Sequence, residues 1–145
     1  MNIRQILQSK KINALYSVSS SQTVLDALKL MAEKNIGAVL VIDEGALTGI
    51  FSERDYARKV ILKDRHSDDT RIADVMTASV ITIAPDQSID DCMMIMSDKH
   101  IRHLPVMDEE KLIGIISIND VVSAIIRDQK TRIDSLESYI SGSPY

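Results

Sequence analysis

The stretch Gly49-Ile50-Phe51-Ser52-Glu53-Arg54-Asp55 has a close copy later in the chain, Gly114-Ile115-Ile116-Ser117-Ile118-Asn119-Asp120. In both copies an apolar segment of strand length runs directly into a Ser-x-x-Asp quartet, and apolar residues at helical spacing follow the quartet. The sequence therefore predicts, twice, a strand that leads straight into the N-terminus of a helix.

The Ser-x-x-Asp quartet has two compatible interpretations. As a capping box, Ser52 and Ser117 accept hydrogen bonds from the first free backbone N–H groups, while Asp55 and Asp120 bond back and suit the positive end of the helix dipole. As a binding element, the same helix N-terminus faces a cleft and holds a phosphate. The nearby carboxylate then accepts hydrogen bonds from ribose hydroxyls. The quartet alone leaves both interpretations open.

An internal repeat decides the predicted fold. A shift of 65 positions aligns Gln22–Ile61 with Gln87–Ile126 without a gap. Identical residues recur throughout the alignment: Asp26 with Asp91, Met31 with Met96, Val41 with Val106, Gly49 with Gly114, Ser52 with Ser117 and Asp55 with Asp120. The sequence therefore predicts a duplicated structural unit.

Each half of the repeat is predicted to run helix, strand, helix, strand, strand, helix. Apolar residues from Val24 to Met31 have helical spacing, and another helix is expected from Glu53 to about Lys63. In the second half we expect a short strand from Val80 to Ile83, while Pro105 should push its strand toward a sheet edge or a bulge. A last helix is expected from Arg127 to Ile140.

Composition excludes several classes of protein. The 145 residues carry a formal net charge of −4, with four Tyr, one Phe and no Trp, which argues against a nucleic-acid partner. No apolar run has the length of a signal peptide or a membrane span, so we expect a cytoplasmic protein without a membrane partner. The single cysteine, Cys92, lies in an apolar helical pattern and is expected to pack in the core.

These motifs resemble a tandem pair of CBS domains, also called a Bateman module. The family pattern, a strand, a turn and then Gly-apolar-apolar-Ser/Thr-x-x-Asp, stands at Leu47–Asp55 and again at Leu112–Asp120. The segments Asp74–Thr77 and His103–Asp108 are also similar to family hallmarks. The resemblance covers the chain from about Ile3 to Ile126.

The resemblance implies an α/β (α+β) fold with two pseudo-twofold-related CBS units, each a small sheet flanked by helices, packed sheet to sheet. It implies a first CBS motif at residues 1–62, a connector at 63–71, a second motif at 72–127, and a C-terminal helix and tail at 128–145. Such pairs often form homodimers through their helices. The Met-rich helix that contains Met93, Met94 and Met96 has apolar positions to spare for such contacts.

The resemblance also implies a function. In such pairs the two clefts commonly bind AMP, ADP, ATP, S-adenosylmethionine or a dinucleotide such as NAD. The Ser/Thr approaches phosphate, the Asp holds ribose, and the leading strand of the opposite unit cradles the base. The expected role is a regulatory sensor that transmits occupancy to an unidentified protein, with no catalytic cofactor and no metal.

Carried over residue by residue, the resemblance implies two unequal clefts. Cleft A combines Ser52, Arg54, Asp55, Thr77, Val80, Ile81, Arg102 and His103. Cleft B combines Ile12, Leu15, Ser117, Asn119 and Asp120. Arg102 and His103 are suited to neutralising phosphate, whereas cleft B lacks obvious cations apart from Lys10 or Lys11. We therefore expect cleft A to hold the phosphate-bearing ligand.

Two other functions stay open at this point. A structural or dimerisation module without a ligand would keep both Ser-x-x-Asp quartets as helix caps. An enzyme is disfavoured because the sequence has no HExxH, no Gly-x-Ser-x-Gly, no phosphate-binding Gly-rich loop ending in Gly-Lys-Ser/Thr, and no Cys/His cluster with zinc spacing.

Overall fold

A computed structural model describes residues 1–10 and 13–140 of the chain. Six α-helical segments lie in this part: α1 (Ile3–Ser9), α2 (Val24–Lys34), α3 (Glu53–Asp55), α4 (Ile72–Val75), α5 (Ile89–Lys99) and α6 (Ile118–Ile140). Five strands accompany them: β1 (Ser17–Val18), β2 (Ala38–Asp43), β3 (Ala46–Ser52), β4 (His103–Asp108) and β5 (Lys111–Ser117). The fold is a mixed helix and sheet fold, as the sequence predicts.

The predicted repeat is visible in the structure. Helix α5 and strands β4 and β5 follow α2, β2 and β3 at the same shift of 65 residues that aligns the sequence. The helix ends match too, because Asn35 and His100 both adopt the left-handed conformation, with φ of 54° each. Both helices begin with a capping box, at Thr23 and Ser88. The duplication of sequence is therefore a duplication of structure.

The chain divides into two compact units that differ from the two sequence motifs. The central unit is Ala14–Thr82, and the outer unit comprises the described parts of Met1–Asn13 and Ile83–Tyr145. The leading segment of each motif thus packs with the sheet of the other motif. This exchange brings residues that are distant in sequence beside each Ser-x-x-Asp quartet.

A three-stranded sheet in the order β1-β2-β3 forms the frame of the central unit. Strand β2 pairs in parallel with β1 and antiparallel with β3, with a register shift between Val41 and Ile42. Its core combines β-branched and aromatic residues of the sheet with one face of α2. The buried members are Val18, Val24, Ala27, Met31, Val39, Val41, Phe51, Val60, Ile72 and Val75.

The segment after the predicted connector is tied to this sheet by its backbone. The Ile50 N–H donates to the Thr77 carbonyl at 3.0 Å, and the Thr77 N–H donates back to the Ile50 carbonyl at 2.9 Å. Farther back, the Ile72 N–H donates to the Gln22 carbonyl at 2.8 Å. Thr77 is therefore fixed beside the strand that ends in Ser52.

The outer unit has a two-stranded sheet, β4-β5, flanked by α1, α5 and α6. Helix α1 is fixed by two backbone bonds, from the Ile3 N–H to the Gln87 carbonyl at 3.0 Å and from the Arg4 N–H to the Pro85 carbonyl at 2.9 Å. Pro105 lies in β4 beside a register shift between Val106 and Met107. The predicted position of this proline, at a sheet edge or bulge, is confirmed.

One prediction about secondary structure is wrong, and a second is refined. The expected strand at Val80–Ile83 is reduced to a single bridge between Ile83 and Val106, because only the Pro105 carbonyl and the Met107 N–H bond to Ile83. The expected helix from Glu53 to about Lys63 is confirmed as a helical segment, but its type changes along the chain: it is α-helical as far as Asp55, π-helical over Tyr56–Val60 and 3-10 over Ile61–Lys63.

The C-terminal helix also differs from its predicted boundary. The expected separate helix from Arg127 is continuous with the last helix of the repeat, so that α6 has 23 residues. Residues 141–145 of the predicted tail lie outside the described residues.

Cys92 occupies the core position that the sequence predicts. Its side chain is fully buried in α5, and burial raises the pKa of the thiol to about 11. A thiol in this state is largely protonated at neutral pH and is a poor nucleophile.

Gly49 and Gly114 occupy equivalent positions where the leading segment of the exchanged motif crosses β3 or β5. A Cβ on Gly49 would lie 2.7 Å from Met76 Sδ and 3.1 Å from the Thr77 carbonyl oxygen, which is held by its bond to Ile50. A Cβ on Gly114 would lie 2.6 Å from Leu7 Cδ2. Close packing thus requires a glycine at this position of the repeated motif.

We expect Gly49→Ala to lower the free energy of unfolding by about 1–3 kcal/mol, the usual cost of overpacking, because the Thr77 backbone cannot move aside without losing its bonds to Ile50. Urea denaturation followed by circular dichroism measures the change. Gly45→Asn is the control, since that position has open space and φ of +79°, which Asn tolerates. Equal stability of wild type and Gly49→Ala would contradict the packing argument.

Candidate functional site

The first Ser-x-x-Asp quartet forms the capping box that the sequence predicts. The Ser52 N–H and hydroxyl both donate to Asp55 Oδ2, at 3.0 and 3.1 Å, and the Asp55 N–H donates to Ser52 Oγ at 3.2 Å. Asp55 is 9% exposed. One carboxylate oxygen is therefore committed to the helix start.

The second oxygen of Asp55 faces two further groups from the central unit. The Thr77 hydroxyl donates to Asp55 Oδ1 at 3.2 Å, and Lys59 Nζ lies 3.1 Å from the same oxygen. Lys59 Nζ also lies 3.4 Å from Thr77 Oγ1. Three segments of chain thus converge on one carboxylate, which is the arrangement we take as the candidate site.

The second quartet repeats the cap in the outer unit. The Ser117 N–H donates to Asp120 Oδ2 at 2.8 Å, and the Asp120 N–H donates to Ser117 Oγ at 3.2 Å. Lys10 Nζ lies 3.1 Å from Asp120 Oδ2 and donates to the Ile115 carbonyl at 2.8 Å. A lysine therefore accompanies the aspartate in this unit as well.

The prediction that only the Asp55 site has cations beside its carboxylate needs correction. The sequence suggested that the Asp120 site lacks obvious cations, with Lys10 or Lys11 as a possible aid. The structure pairs Lys10 with Asp120, and the Lys10 side chain is only 17% exposed, against 43% for Lys59. Both carboxylates are neutralised, but the lysine in the central unit is freer to move.

The structure places the other predicted residues as follows. In the central unit, Arg54 and Leu15 are exposed, while Val80 and Ile81 are half-buried beyond Thr77. In the outer unit, Arg102 and Asn119 are exposed and His103 is half-buried. The His103 backbone pairs with Ser117, and the Arg102 carbonyl accepts from the Ile118 N–H at 2.8 Å. Ile12 and Lys11 lie outside the described residues.

Sequence reasoning missed Lys59. The signal was present, because Asp55 and Lys59 are four residues apart and a helix places such residues on one face. Lys59 lies in the π-helical turn, and π-turns often occur at functional sites. It also lines a surface cavity of about 400 Å³ with Lys63, Arg65, Asp74 and Val75. Three cations and one carboxylate around this cavity favour an anion.

The arrangement offers a ligand both hydrogen-bond acceptors and a cation. Asp55 offers oxygen acceptors beside a helix N-terminus, and Lys59 offers a mobile positive charge. Within residues 1–10 and 13–140, no group of three His, Cys, Asp or Glu side chains could hold a metal ion. None of the described helices combines the length and the apolar character that crossing a membrane requires.

Comparison with known proteins gives two matches to one family model. The model described as CBS domain matches residues 4–62 and 72–127. Among curated proteins, the chain is 40% identical over 129 residues to the "CBS domain-containing protein CBSX3, mitochondrial" of Arabidopsis thaliana. That match covers 86% of this chain and 63% of the relative, so the chain spans less than two thirds of it.

Solved structures of CBS-domain proteins are also similar to this fold. A protein with CBS domains from Burkholderia ambifaria MC40-6 has a TM-score of 0.86 and 50% identity, covering 89% of this chain and 96% of the other. The CBS domain pair of protein MJ0100, in complex with methylthioadenosine and S-adenosyl-L-methionine, has a TM-score of 0.75 and 27% identity. It covers 89% of this chain and 98% of the other.

Asp55→Ala should lower stability more than the same change at Asp26. Asp26 occupies the equivalent capping position of α2 and exchanges the same two backbone N–H bonds with Thr23, so it reports the capping box without the further partners of Asp55, about 0.5–2 kcal/mol. We expect Asp55→Ala to cost about 1 kcal/mol more, because Thr77 and Lys59 lose their acceptor. Urea denaturation of both variants measures the difference, and equal losses would show that Thr77 and Lys59 contribute nothing.

Proposed function

Because the chain belongs to the CBS domain family, with motifs at residues 4–62 and 72–127, we propose that it is a regulatory module that binds an adenosine-containing ligand and transmits its occupancy to a partner protein. The proposed ligand is AMP, ADP or ATP, with NAD and S-adenosylmethionine as further candidates. The proposal includes no catalytic step, and the cytoplasmic location stays a prediction.

One observation carries the proposal: Asp55 Oδ1 is held by Lys59 and Thr77 rather than by the helix cap. The cap uses Asp55 Oδ2, so a ribose hydroxyl donating to Oδ1 leaves the helix start intact. The bonds it replaces are weak, since the Lys59 side chain is 43% exposed and partly exposed ion pairs contribute little. Breaking these bonds therefore subtracts little from the free energy of ligand binding at this carboxylate.

Lys59 also gives the site a cation for a phosphate group of the ligand. Once a ribose hydroxyl occupies Asp55 Oδ1, the Lys59 ammonium is released and becomes available to a phosphate on the same ligand. The 400 Å³ cavity that Lys59 shares with Lys63 and Arg65 adds positive charge on the same side. A phosphate-bearing adenosine ligand suits this charge better than adenosine alone.

The remaining predicted residues have these proposed roles. Ser52 and the helix N-terminus approach the phosphate, together with Arg54, Arg102 and His103. Thr77, Val80 and Ile81 line the base and ribose. A second, weaker site is proposed from Ile12, Leu15, Ser117, Asn119 and Asp120. The adenosyl ligands bound by the CBS pair of MJ0100 support the class of ligand and leave its identity open.

A ligand-free structural or dimerisation module is the second candidate. One observation favours it: the cap and Lys10 already occupy Asp120 Oδ2, and Lys10 also donates to the Ile115 carbonyl. The same applies in part to Asp55. In either function the chain is proposed to act as a homodimer.

Titration calorimetry with AMP, ADP, ATP, NAD and S-adenosylmethionine distinguishes the two candidates. We expect one of these ligands to bind the wild type, Asp55→Ala to lose binding by at least about tenfold, the loss of one or two charge-assisted hydrogen bonds, and Asp120→Ala to retain it. Thermal unfolding of both variants verifies that they are folded. Absence of binding by every ligand would leave the structural module as the function.

The role of Lys59 is tested by comparing adenosine with AMP. We expect Lys59→Ala to weaken AMP roughly two- to fivefold, as for a partly exposed ion pair, and to leave adenosine unchanged or slightly tighter, because Asp55 Oδ1 loses a competing partner. Arg58→Ala is the control, since Arg58 is an exposed cation on the neighbouring position. Equal weakening of AMP by both substitutions would indicate a general charge effect.

A further inference from the structure

The C-terminal half of α6 stands out from the rest of the outer unit. Near its start, Val121 and Ala124 are buried, and the helix contacts α1, α5 and β5. Every residue from 129 to 140 is exposed, including Ile133 at 55% and Leu136 at 60%. An isolated helix of this length is marginal in water, so this segment needs a partner.

The exposed apolar residues of α6 form one continuous stripe. Val122, Ile126, Gln129, Ile133, Leu136 and Ile140 follow one another at intervals of four and three residues, which is the heptad spacing of a coiled coil. Five of the six are apolar, and each of these five is at least 46% exposed. At about 100° per residue, the stripe is centred roughly a third of a turn from the face that buries Val121 and Ala124.

We infer that a second copy of this chain covers this stripe, and that the two α6 helices pair in parallel as a short two-stranded coiled coil. The inference rests on the homodimer in the proposed function and not on its ligand. What is new is the surface through which the two copies contact each other and the parallel direction of their helices.

The side chains favour a parallel pair of two helices. The heptad positions called a hold Ile126, Ile133 and Ile140, and the positions called d hold Val122, Gln129 and Leu136. β-Branched residues at a with leucine at d favour parallel two-stranded coiled coils. Gln129 is a polar residue at an inner d position. In the parallel pair it would lie beside Gln129 of the second copy, and registers that place it against an apolar residue would be disfavoured.

Charge complementarity also points to a second copy. In a parallel pair, position g of one helix lies beside position e of the next heptad in the other. These positions hold Arg132 and Glu137, so two identical Arg–Glu pairs form across the dimer. Arg132 contacts Asp128 at 3.3 Å within its own helix, with 77% of its side chain exposed. That weak pair leaves Arg132 available to the second copy.

The charges on this segment disfavour a membrane surface as the occupant. Lys130 and Arg132 are balanced by Asp134 and Glu137, whereas helices that lie on anionic lipid carry an excess of cations on the polar face. A second copy matches both the apolar stripe and its flanking charges.

Light scattering after size exclusion tests the surface. We expect the wild type to have the mass of two chains at micromolar concentration, and Leu136→Asp and Ile133→Asp to weaken the dimer by at least tenfold. Ser135→Asp adds the same charge to the same turn away from the stripe and should stay dimeric. Dimers that persist in both stripe variants would overturn the coiled coil while leaving the homodimer in place. A monomeric wild type would overturn both, and calorimetry would still report ligand binding separately.

Direction is tested by oxidation of single cysteine variants. A parallel pair places residue 126 beside residue 126 of the second copy, so Ile126→Cys should form a disulfide-linked dimer, whereas Thr131→Cys, on the far side of the helix, should not. In an antiparallel pair centred on the stripe, the two introduced thiols at position 126 would lie roughly 15 Å apart along the helix axis, at about 1.5 Å per residue. Buried Cys92 does not compete. Absence of the disulfide would overturn the parallel arrangement.

Charge reversal gives an independent test of direction. Arg132→Glu and Glu137→Arg should each weaken the dimer several-fold, because each places like charges beside one another. The double variant should restore the wild-type affinity, since the pair is re-formed with its charges exchanged. A double variant as weak as the single variants would contradict the parallel arrangement.

Discussion

The reciprocal backbone bonds between Ile50 and Thr77 are the constraint on which the candidate site depends. They place the segment that leads into the second motif beside the strand that ends the first. Gly49 permits this because its missing side chain leaves room for Met76 and for the Thr77 carbonyl. The same close approach occurs at Gly114, where Leu7 occupies the space. Each Ser-x-x-Asp quartet is therefore completed by residues from the other motif.

Because of this exchange, the sequence predicts the features that depend on neighbouring residues and does not predict the contacts between distant segments. The strands and first helices of the two halves repeat at a fixed shift because local patterning determines them, and the caps at Ser52 and Ser117 follow from four neighbouring residues. The family that these motifs predict is confirmed. The nearness of Thr77 to Asp55 came only from the family resemblance, since no local pattern relates residues on different segments.

Two further features of the structure could not be predicted from neighbouring residues. Lys10 bonds to Ile115, 105 residues away, so its pairing with Asp120 depends on the tertiary exchange. The segment Val80–Ile83 has strand-like composition, but its partner strand β4 includes a proline, and a single bridge results. Lys59 is different, because its spacing of four residues from Asp55 could have predicted their ion pair from the sequence alone. The ligand roles of the predicted site residues stay predictions.

The two halves of the repeat diverge just after their shared quartets, and the residues show why. Lys59 corresponds to Ala124 at the shift of 65 residues. Alanine is small and buried at this position, where α6 packs on its own unit, and α6 continues for 23 residues to present an apolar stripe. A lysine at the same position must keep its charge near Asp55 and solvent, and the helix ends soon after through π and 3-10 turns. The first copy thus places Lys59 beside its carboxylate one turn after the quartet, whereas in the second copy the lysine beside Asp120 is Lys10 of the other motif and a long helix follows the quartet. In the functions proposed above, ligand binding belongs to the first copy of the repeat and self-association to the second, so a substitution that removes one should leave the other intact.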